Sequence, residues 1–170
     1  IGIRTVFNVL GPLTNPARAS YQLLGVANAA LAEKLAHALA HLGTQHALVV
    51  HGHGGLDELA LSGPNLVYEV HADGRVTSFE IDATELGLGR APLSAVLGGD
   101  RELNTSITLA VLQGEEQGAP RDIVLLNSAA ALLAANKVDS MQAGLELARE
   151  SLDSGKAYTS LGRMIAVSNK

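Results

Sequence analysis

The chain has 170 residues, 47% hydrophobic and 17% charged, and this balance excludes an intrinsically disordered protein. Its length suits one domain with a substantial core, which must be aliphatic because only 3% of residues are aromatic. A net charge of −5 excludes the basic character of a general nucleic-acid or membrane-surface binder. The absence of cysteine excludes a disulfide framework and thiolate metal ligands, and it is compatible with a reducing cytoplasm.

The first half of the chain predicts a loop followed by a βαβ unit. Residues 11–16 contain a glycine and two prolines, which cannot continue a helix or a central strand. Residues 21–26 form an apolar run of strand length, residues 29–42 repeat leucine at helical spacing before Gly43, and residues 46–50 form a second apolar run. Strand, helix and strand at this spacing are typical of a βαβ unit.

The second half predicts a hairpin and then helices. Alternating segments at residues 65–70 and 75–81 are joined by Asp73-Gly74, a strong hairpin signal. Four helices are predicted after a stretch rich in glycine and proline: one capped by Asn104 or Thr105 and ending at Gln113, then residues 121–135, 140–151 and 157–165. The predicted fold class is therefore α/β, with a mixed sheet flanked by helices.

The sharpest candidate site is the segment VHGHGGLDE at residues 50–58, directly after a predicted buried strand. Ligands gather at the carboxyl ends of strands in α/β sheets, and the glycines let the backbone approach a phosphate. In such a loop the carboxylates of Asp57 and Glu58 can turn toward one cation, and their hard oxygens suit Mg²⁺. The alternative from residue types alone is that both acids occupy the first turn of a helix, where they suit its dipole.

Four other polar residues allow both functional and structural interpretations. His51 and His53 could ligate a transition metal, but without a third ligand at suitable spacing they are better explained as strand-end and loop residues. Asn8 brings an amide into an apolar segment, where a capping or turn role is the simpler interpretation. Asn127, in the middle of a predicted helix, is expected to bond to a neighbouring loop.

Three segments together resemble the anthranilate phosphoribosyltransferase family: GIRTVFNVLGPLTNP at residues 2–16, VVHGHGGLDE at 49–58 and RDIVLLNSAAAL at 121–132. The similarity runs in order along essentially the whole chain. The resemblance implies a two-domain enzyme of the nucleoside-phosphorylase and phosphoribosyltransferase type. It implies that residues 1–16 are the end of a small helical domain with its hinge, and that residues 17–170 are the large α/β domain.

The same resemblance implies a function and its site residues. The family transfers a phosphoribosyl group from phosphoribosyl diphosphate to anthranilate in tryptophan biosynthesis and releases diphosphate. Asp57 and Glu58 match the pair that binds Mg²⁺ beside the diphosphate. Asn8 matches a residue near the anthranilate entry path and Gly11 matches the hinge, so both are substrate-binding candidates. No catalytic side chain is assigned, because the amine of anthranilate is itself the nucleophile.

The chain is expected to be the carboxyl-terminal portion of such an enzyme, inactive by itself. It begins at Ile1 without methionine, and the family's glycine-rich GTGGD and KHGN-type segments do not occur in it. The resemblance implies a cytoplasmic homodimer formed through the small domain. Two alternatives stay open at this point: an enzyme like pyrimidine nucleoside phosphorylase, and a non-catalytic domain.

Overall fold

The computed structural model describes residues 10–169, so the predicted role of Asn8 lies outside the described residues. Within that range, four strands form one sheet in the order β1 to β4: Tyr21–Gly25, His46–His51, Asn65–His71 and Val76–Ile81. β1 and β2 are parallel, whereas β3 is antiparallel to both β2 and β4. The predicted βαβ unit, the hairpin and the mixed sheet are all confirmed.

Five α-helices accompany this sheet in the same range: α1 at Ala29–His41, α2 at Arg101–Gln113, α3 at Ala119–Ala134, α4 at Met141–Asp153 and α5 at Lys156–Ser168. Short 3-10 turns occur at Gly11–Leu13, Ala83–Leu86 and Leu93–Val96. Among the residues that the structure covers, no helix combines the length and the apolar content needed to cross a membrane.

The predicted start of α2 is wrong, because the N-cap is Asp100 and neither Asn104 nor Thr105. The Asp100 side chain accepts the backbone N–H of Leu103 at 2.9 Å, so the helix begins one turn earlier than predicted. The Asn104 amide instead reaches back to the loop before the helix, where it accepts from the N–H of Gly99 at 2.9 Å and donates to the Gly99 carbonyl at 3.1 Å. A competing aspartate nearer the loop therefore took the capping position.

The sheet separates two apolar layers because neighbouring residues of a strand point to opposite faces. Ala47 and Val49 of β2 pack with α1, in a cluster that also contains Leu39. Leu48 and Val50 face the other way and pack with residues of α3 and α4. β2 is therefore buried on both faces, which explains its continuous apolar sequence.

Helices α3 and α4 cross at very close range through Gly144. A Cβ atom added to Gly144 would lie only 2.8 Å from the carbonyl oxygen of Ala129, so a larger residue cannot be placed there without moving a helix. A second contact joins the two helices, since Nη2 of the buried Arg121 donates to Asp153 Oδ1 at 2.6 Å. The packing thus fixes α3 in position relative to α4.

Candidate functional site

The candidate site is the acidic loop, residues 52–60, at the carboxyl ends of β1 and β2. The two parallel strands end at the same edge, where the Val26 N–H donates to the Val50 carbonyl at 2.9 Å. His51 ends β2, and its Nδ1 lies 2.7 Å from the Val26 carbonyl oxygen. The loop therefore begins at the sheet edge where ligands of α/β proteins bind.

A tight glycine turn opens the acidic loop. The Gly52 N–H donates to the Leu56 carbonyl at 2.8 Å, and these two residues form an isolated antiparallel bridge. Between them, Gly54 and Gly55 have φ of 80° and 90°, a conformation that residues with a Cβ rarely adopt. The turn sends the chain back toward the sheet, so the two acids that follow lie against β1 and β2.

Asp57 and Glu58 are exposed and lie in irregular backbone, and no helix follows them before Pro64. The alternative interpretation, in which the two acids form the first turn of a helix, is therefore wrong. Among residues 10–169, the ion pairs with Lys, Arg or His all involve other carboxylates. Within the described structure, both carboxylates are thus available to a cation.

The electrostatics of the acidic pair favour a bound cation. Partial burial, together with the adjacent charge of Asp57, raises the pKa of Glu58 above its ordinary value of 4.5. A divalent cation would relieve this repulsion, and two carboxylates completed by water and phosphate oxygens are a usual Mg²⁺ ligand set. The donor chemistry therefore fits Mg²⁺. The structure contains no cluster of three or more His, Cys, Asp or Glu within residues 10–169 that could hold a metal by itself.

Two glycines allow the backbone of the acidic pair to lie directly on the strands. A Cβ added to Gly25 at the end of β1 would lie 1.5 Å from the carbonyl oxygen of Asp57. A Cβ added to Gly52 would lie 2.0 Å from the carbonyl oxygen of Glu58. Neither position accepts a side chain without displacing the acids. Both positions therefore require glycine, because the backbone of the acidic pair passes so close to them.

The buried side chain of Asn65, the first residue of β3, holds both ends of the acidic loop. Its Oδ1 accepts from the N–H groups of Ala60 at 2.7 Å and His53 at 3.1 Å. Its Nδ2 donates to the carbonyls of Ala60 at 3.0 Å and Ile81 at 2.9 Å. Asn65 is fully buried, so these hydrogen bonds satisfy both the oxygen and the nitrogen of its amide in place of water. The amide therefore fixes the loop to the sheet.

A second amide, that of Asn127, holds the loop from the helical layer. Its Oδ1 accepts from the Leu59 N–H at 2.8 Å, and its Nδ2 donates to the Leu59 carbonyl at 2.9 Å. Nδ2 also donates to the carbonyl of Ile123 in the same helix at 3.0 Å. The prediction that Asn127 bonds to a neighbouring loop is confirmed.

Sequence reasoning missed the role of Asn65, although a signal for it exists. In an alternating strand, Asn65 shares its face with Val67, which is fully buried against α3 and α4. A polar residue at such an inward position must find hydrogen-bond partners, and a glycine-rich loop was the nearest candidate. The close approach of Gly25 gave no comparable signal, because it depends on a contact between distant parts of the chain.

The two loop histidines have separate partners. The His51 ring faces the Val26 carbonyl as described, whereas His53 Nδ1 lies 2.9 Å from Ser62 Oγ. The His53 ring also covers Gly63, whose added Cβ would lie 2.5 Å from it. Their roles as strand-end and loop residues agree with these contacts.

Gly11 lies in the 3-10 turn Gly11–Leu13, which precedes β1 and is not part of the acidic loop. Leu13, at the end of the same turn, lines a cleft with Thr44 at the amino ends of β1 and β2. The acidic pair lies at the carboxyl ends of the same strands. The assignment of Gly11 to a hinge stays a prediction.

The raised pKa of Glu58 predicts a pH-dependent gain in stability for Glu58→Gln without divalent cations. A carboxyl group whose pKa is higher in the folded state loses a stabilising contribution as the pH rises through that pKa. At pH 7 we therefore expect a higher free energy of unfolding for Glu58→Gln than for the wild type. The difference shrinks as the pH falls through the raised pKa of Glu58 and disappears below its ordinary value of 4.5. Urea unfolding of both proteins in EDTA, at pH 7 and below pH 4.5, measures the difference. A variant less stable than the wild type at pH 7 would contradict the prediction.

Comparison with known proteins identifies the class to which this fold and loop belong. Residues 1–158 match the family described as "Glycosyl transferase family, a/b domain", and the chain belongs to that family. Similar full-length proteins carry one particular name, anthranilate phosphoribosyltransferase. That of Roseiflexus castenholzii is 60% identical over 169 residues, which are 99% of this chain and 50% of that protein. The chain spans about half the length of the curated relatives it matches.

Solved structures of proteins with this name have the same fold. The anthranilate phosphoribosyltransferase of Thermus thermophilus superposes with a TM-score of 0.88 and 46% identity, over 97% of this chain and 48% of that one. The Saccharomyces cerevisiae enzyme, solved in complex with PRPP and Mg, gives a TM-score of 0.82 and 31% identity, over 95% of this chain and 45% of that one. The resemblance stated from the sequence motifs is confirmed.

Proposed function

We propose that this chain provides the Mg²⁺-binding acidic loop of an enzyme that transfers phosphoribosyl from phosphoribosyl diphosphate to anthranilate. The observation that carries the proposal is the pair of exposed carboxylates, Asp57 and Glu58, held at the carboxyl ends of two parallel strands without ion-pair partners among the described residues. The names of the relatives, and the yeast complex with PRPP and Mg, support the same reaction. They give no support to the pyrimidine nucleoside phosphorylase alternative.

The chain's own residues contribute position and charge to this reaction. The N–C1 bond forms as the C1–O bond to diphosphate breaks, and the amine gives up a proton to solvent, so no side-chain nucleophile is needed. Asp57 and Glu58 would hold Mg²⁺, and the side-chain amides of Asn127 and Asn65 hold the loop backbone that follows the two acids. When bound, the ion would neutralise charge on the departing diphosphate. Fixed ligands avoid reorganisation as that charge develops.

The remaining implied features belong to this proposal. Three of them rest on the family resemblance. Residues 1–16 would be the end of a small domain with a hinge at Gly11, Asn8 would lie near the anthranilate path, and the enzyme would be a cytoplasmic homodimer. A hinge in this segment would bring two substrates together when the domains close. Because the chain covers half of its relatives, activity is expected of the full-length protein.

The proposal predicts that Asp57→Asn combined with Glu58→Gln in the full-length protein lowers the Mg²⁺-dependent rate on the order of 100-fold. Both exchanges keep the size of the side chains and remove only their charge. The matched control is Glu115→Gln with Glu116→Gln, which neutralises another adjacent acid pair in the loop between α2 and α3. Initial rates of phosphoribosyl-anthranilate formation, measured against Mg²⁺ concentration, give the comparison.

The outcomes of this experiment separate the possibilities. A loss confined to the loop variant, with an unfolding temperature no lower than that of the wild type, supports the assignment of the metal. An unchanged Mg²⁺ profile in the loop variant rejects the acidic pair as the metal site. Equal losses of rate in both double variants would show a nonspecific effect of charge and would also reject the acidic pair as the metal site.

A further inference from the structure

The geometry points to Asn127 as a positioning residue for the metal-binding pair, acting from helix α3 through the backbone of Leu59. This inference rests on the proposed function, since it assigns a supporting role at the same site. Asn127 does not belong to the acidic loop and contributes no charge. Its effect would arise because its amide determines where the peptide that follows Glu58 lies.

The contact between Asn127 and Leu59 is a clamp of two hydrogen bonds. The Asn127 amide binds both polar groups of Leu59, accepting from its N–H at 2.8 Å and donating to its carbonyl at 2.9 Å. A single hydrogen bond would leave the peptide free to rotate about it, whereas two bonds to one residue fix the orientation of its backbone. The next residue toward the amino terminus is Glu58, so the clamp acts one peptide away from a proposed ligand.

The clamp is itself held in place by helix α3. The Asn127 Nδ2 atom has two hydrogens, and it donates to the carbonyls of both Leu59 and Ile123. The amide orientation is thus set by its own helix. In addition, the Leu59 side chain is fully buried in the core that contains Leu126, the neighbour of Asn127. Backbone and side chain of Leu59 are both fixed.

The side-chain amides of Asn65 and Asn127 hold different parts of the acidic loop. Asn65 fixes the loop at His53 and Ala60, on either side of the acidic pair, and joins it to the sheet. Asn127 hydrogen-bonds to the loop at Leu59 and joins it to the helical layer. Loss of Asn127 therefore leaves the attachment to the sheet intact but frees the peptide nearest to Glu58. Mutation of residues that orient metal ligands without touching the metal commonly lowers metal affinity by about 10- to 100-fold.

The chain contains a matched control for this contact. Asn104 forms the same pair of amide bonds to a single residue, accepting from the Gly99 N–H and donating to the Gly99 carbonyl. It holds the loop before α2, which contains no residue of the acidic pair. Asn127→Ala and Asn104→Ala therefore each remove a pair of amide bonds to one loop residue, part-buried at Leu59 and exposed at Gly99. A general loss of loop stability would affect both variants.

The test measures Mn²⁺ binding to the full-length protein in the presence of inorganic diphosphate, by electron paramagnetic resonance. We expect Asn127→Ala to weaken the Mn²⁺ affinity about 10-fold or more, and Asn104→Ala to leave it unchanged. Hydrogen exchange of peptides covering residues 57–60 should be faster in Asn127→Ala. An unchanged Mn²⁺ affinity in Asn127→Ala, or equal weakening in both variants, overturns the inference.

Two further variants keep the result interpretable. Asn127→Asp retains an acceptor for the Leu59 N–H but cannot donate to the Leu59 carbonyl, so it tests the same clamp if the alanine variant does not fold. A wild-type Mn²⁺ affinity in Asn127→Asp also overturns the inference. Asp57→Asn with Glu58→Gln tests the proposed function separately. If this double variant binds Mn²⁺ as the wild type does, the assignment of the acidic pair as the metal site is rejected. If the double variant loses Mn²⁺ binding and the Asn127 variants do not, only the positioning role of Asn127 is rejected.

Discussion

Asn65→Ala is expected to lower the free energy of unfolding by about 3–5 kcal/mol, because it leaves several buried backbone groups without partners. The N–H groups of His53 and Ala60 lose their shared acceptor, and the carbonyls of Ala60 and Ile81 lose their donor. Each buried group left unpaired costs about 1–3 kcal/mol, and part of this is recovered if water enters the space. Urea unfolding at neutral pH measures the change.

The control for Asn65→Ala is Asn28→Ala, the same exchange at an exposed helix cap. The Asn28 side chain accepts the Ala30 N–H at the start of α1, and loss of such a cap costs about 0.5–2 kcal/mol. We expect Asn65→Ala to exceed this clearly. Similar losses for the two variants would mean that the acidic loop relaxes easily, and that Asn65 does not hold it.

Gly25→Ala is expected to displace the acidic loop, since the new methyl group and the Asp57 carbonyl oxygen cannot occupy the same place. The 1.5 Å between a Cβ at this position and that oxygen lies far inside van der Waals contact, and the obstacle is backbone rather than a flexible side chain. Overpacking of this kind costs about 1–3 kcal/mol or more. Displacement of a ligand residue should also weaken Mn²⁺ binding about 10-fold or more.

Thermal unfolding and Mn²⁺ titration of the full-length protein test Gly25→Ala, with Gly162→Ala as the control. Gly162 lies in α5, where a Cβ would meet nothing within 4 Å, so alanine there should stabilise the helix by about 0.5–1 kcal/mol. It should leave Mn²⁺ binding unchanged. A Gly25→Ala protein with wild-type stability and affinity would show that the loop does not need its close contact with β1.

The elements of the fold that could be predicted from the sequence are those set by local chemistry. The hairpin follows from Asp73-Gly74, where Gly74 has φ of 83° and Asp73 accepts the N–H of Arg75 at 3.0 Å. Helix α1 follows from its leucine spacing and ends before Gly43, which has φ of 79°. The prediction of where α2 starts failed because the side chains of Asp100, Asn104 and Thr105 can all cap a helix. Spacing alone does not decide among them.

The candidate site could be located from the sequence but not constructed. Glycine content and position after a buried strand identified the loop, and the adjacent acids identified its chemistry. The supports of the loop come from residues distant in the chain, such as Asn127 on α3 and Gly25 on β1. Local patterns contain no information on which distant backbone a side chain will reach. The separation of the acids from any helix also required the structure.

The tight crossing of α3 and α4 has a consequence for how this protein tolerates change. Gly144 touches the backbone of Ala129, and Asn127 lies two positions earlier on the same helix. A larger residue at Gly144 is accommodated only if α3 or α4 moves, and a shift of α3 would carry with it the Asn127 amide that binds Leu59. The position of the acidic loop therefore depends on how two helices pack, and substitution of a residue outside the loop is expected to change the affinity for a cation.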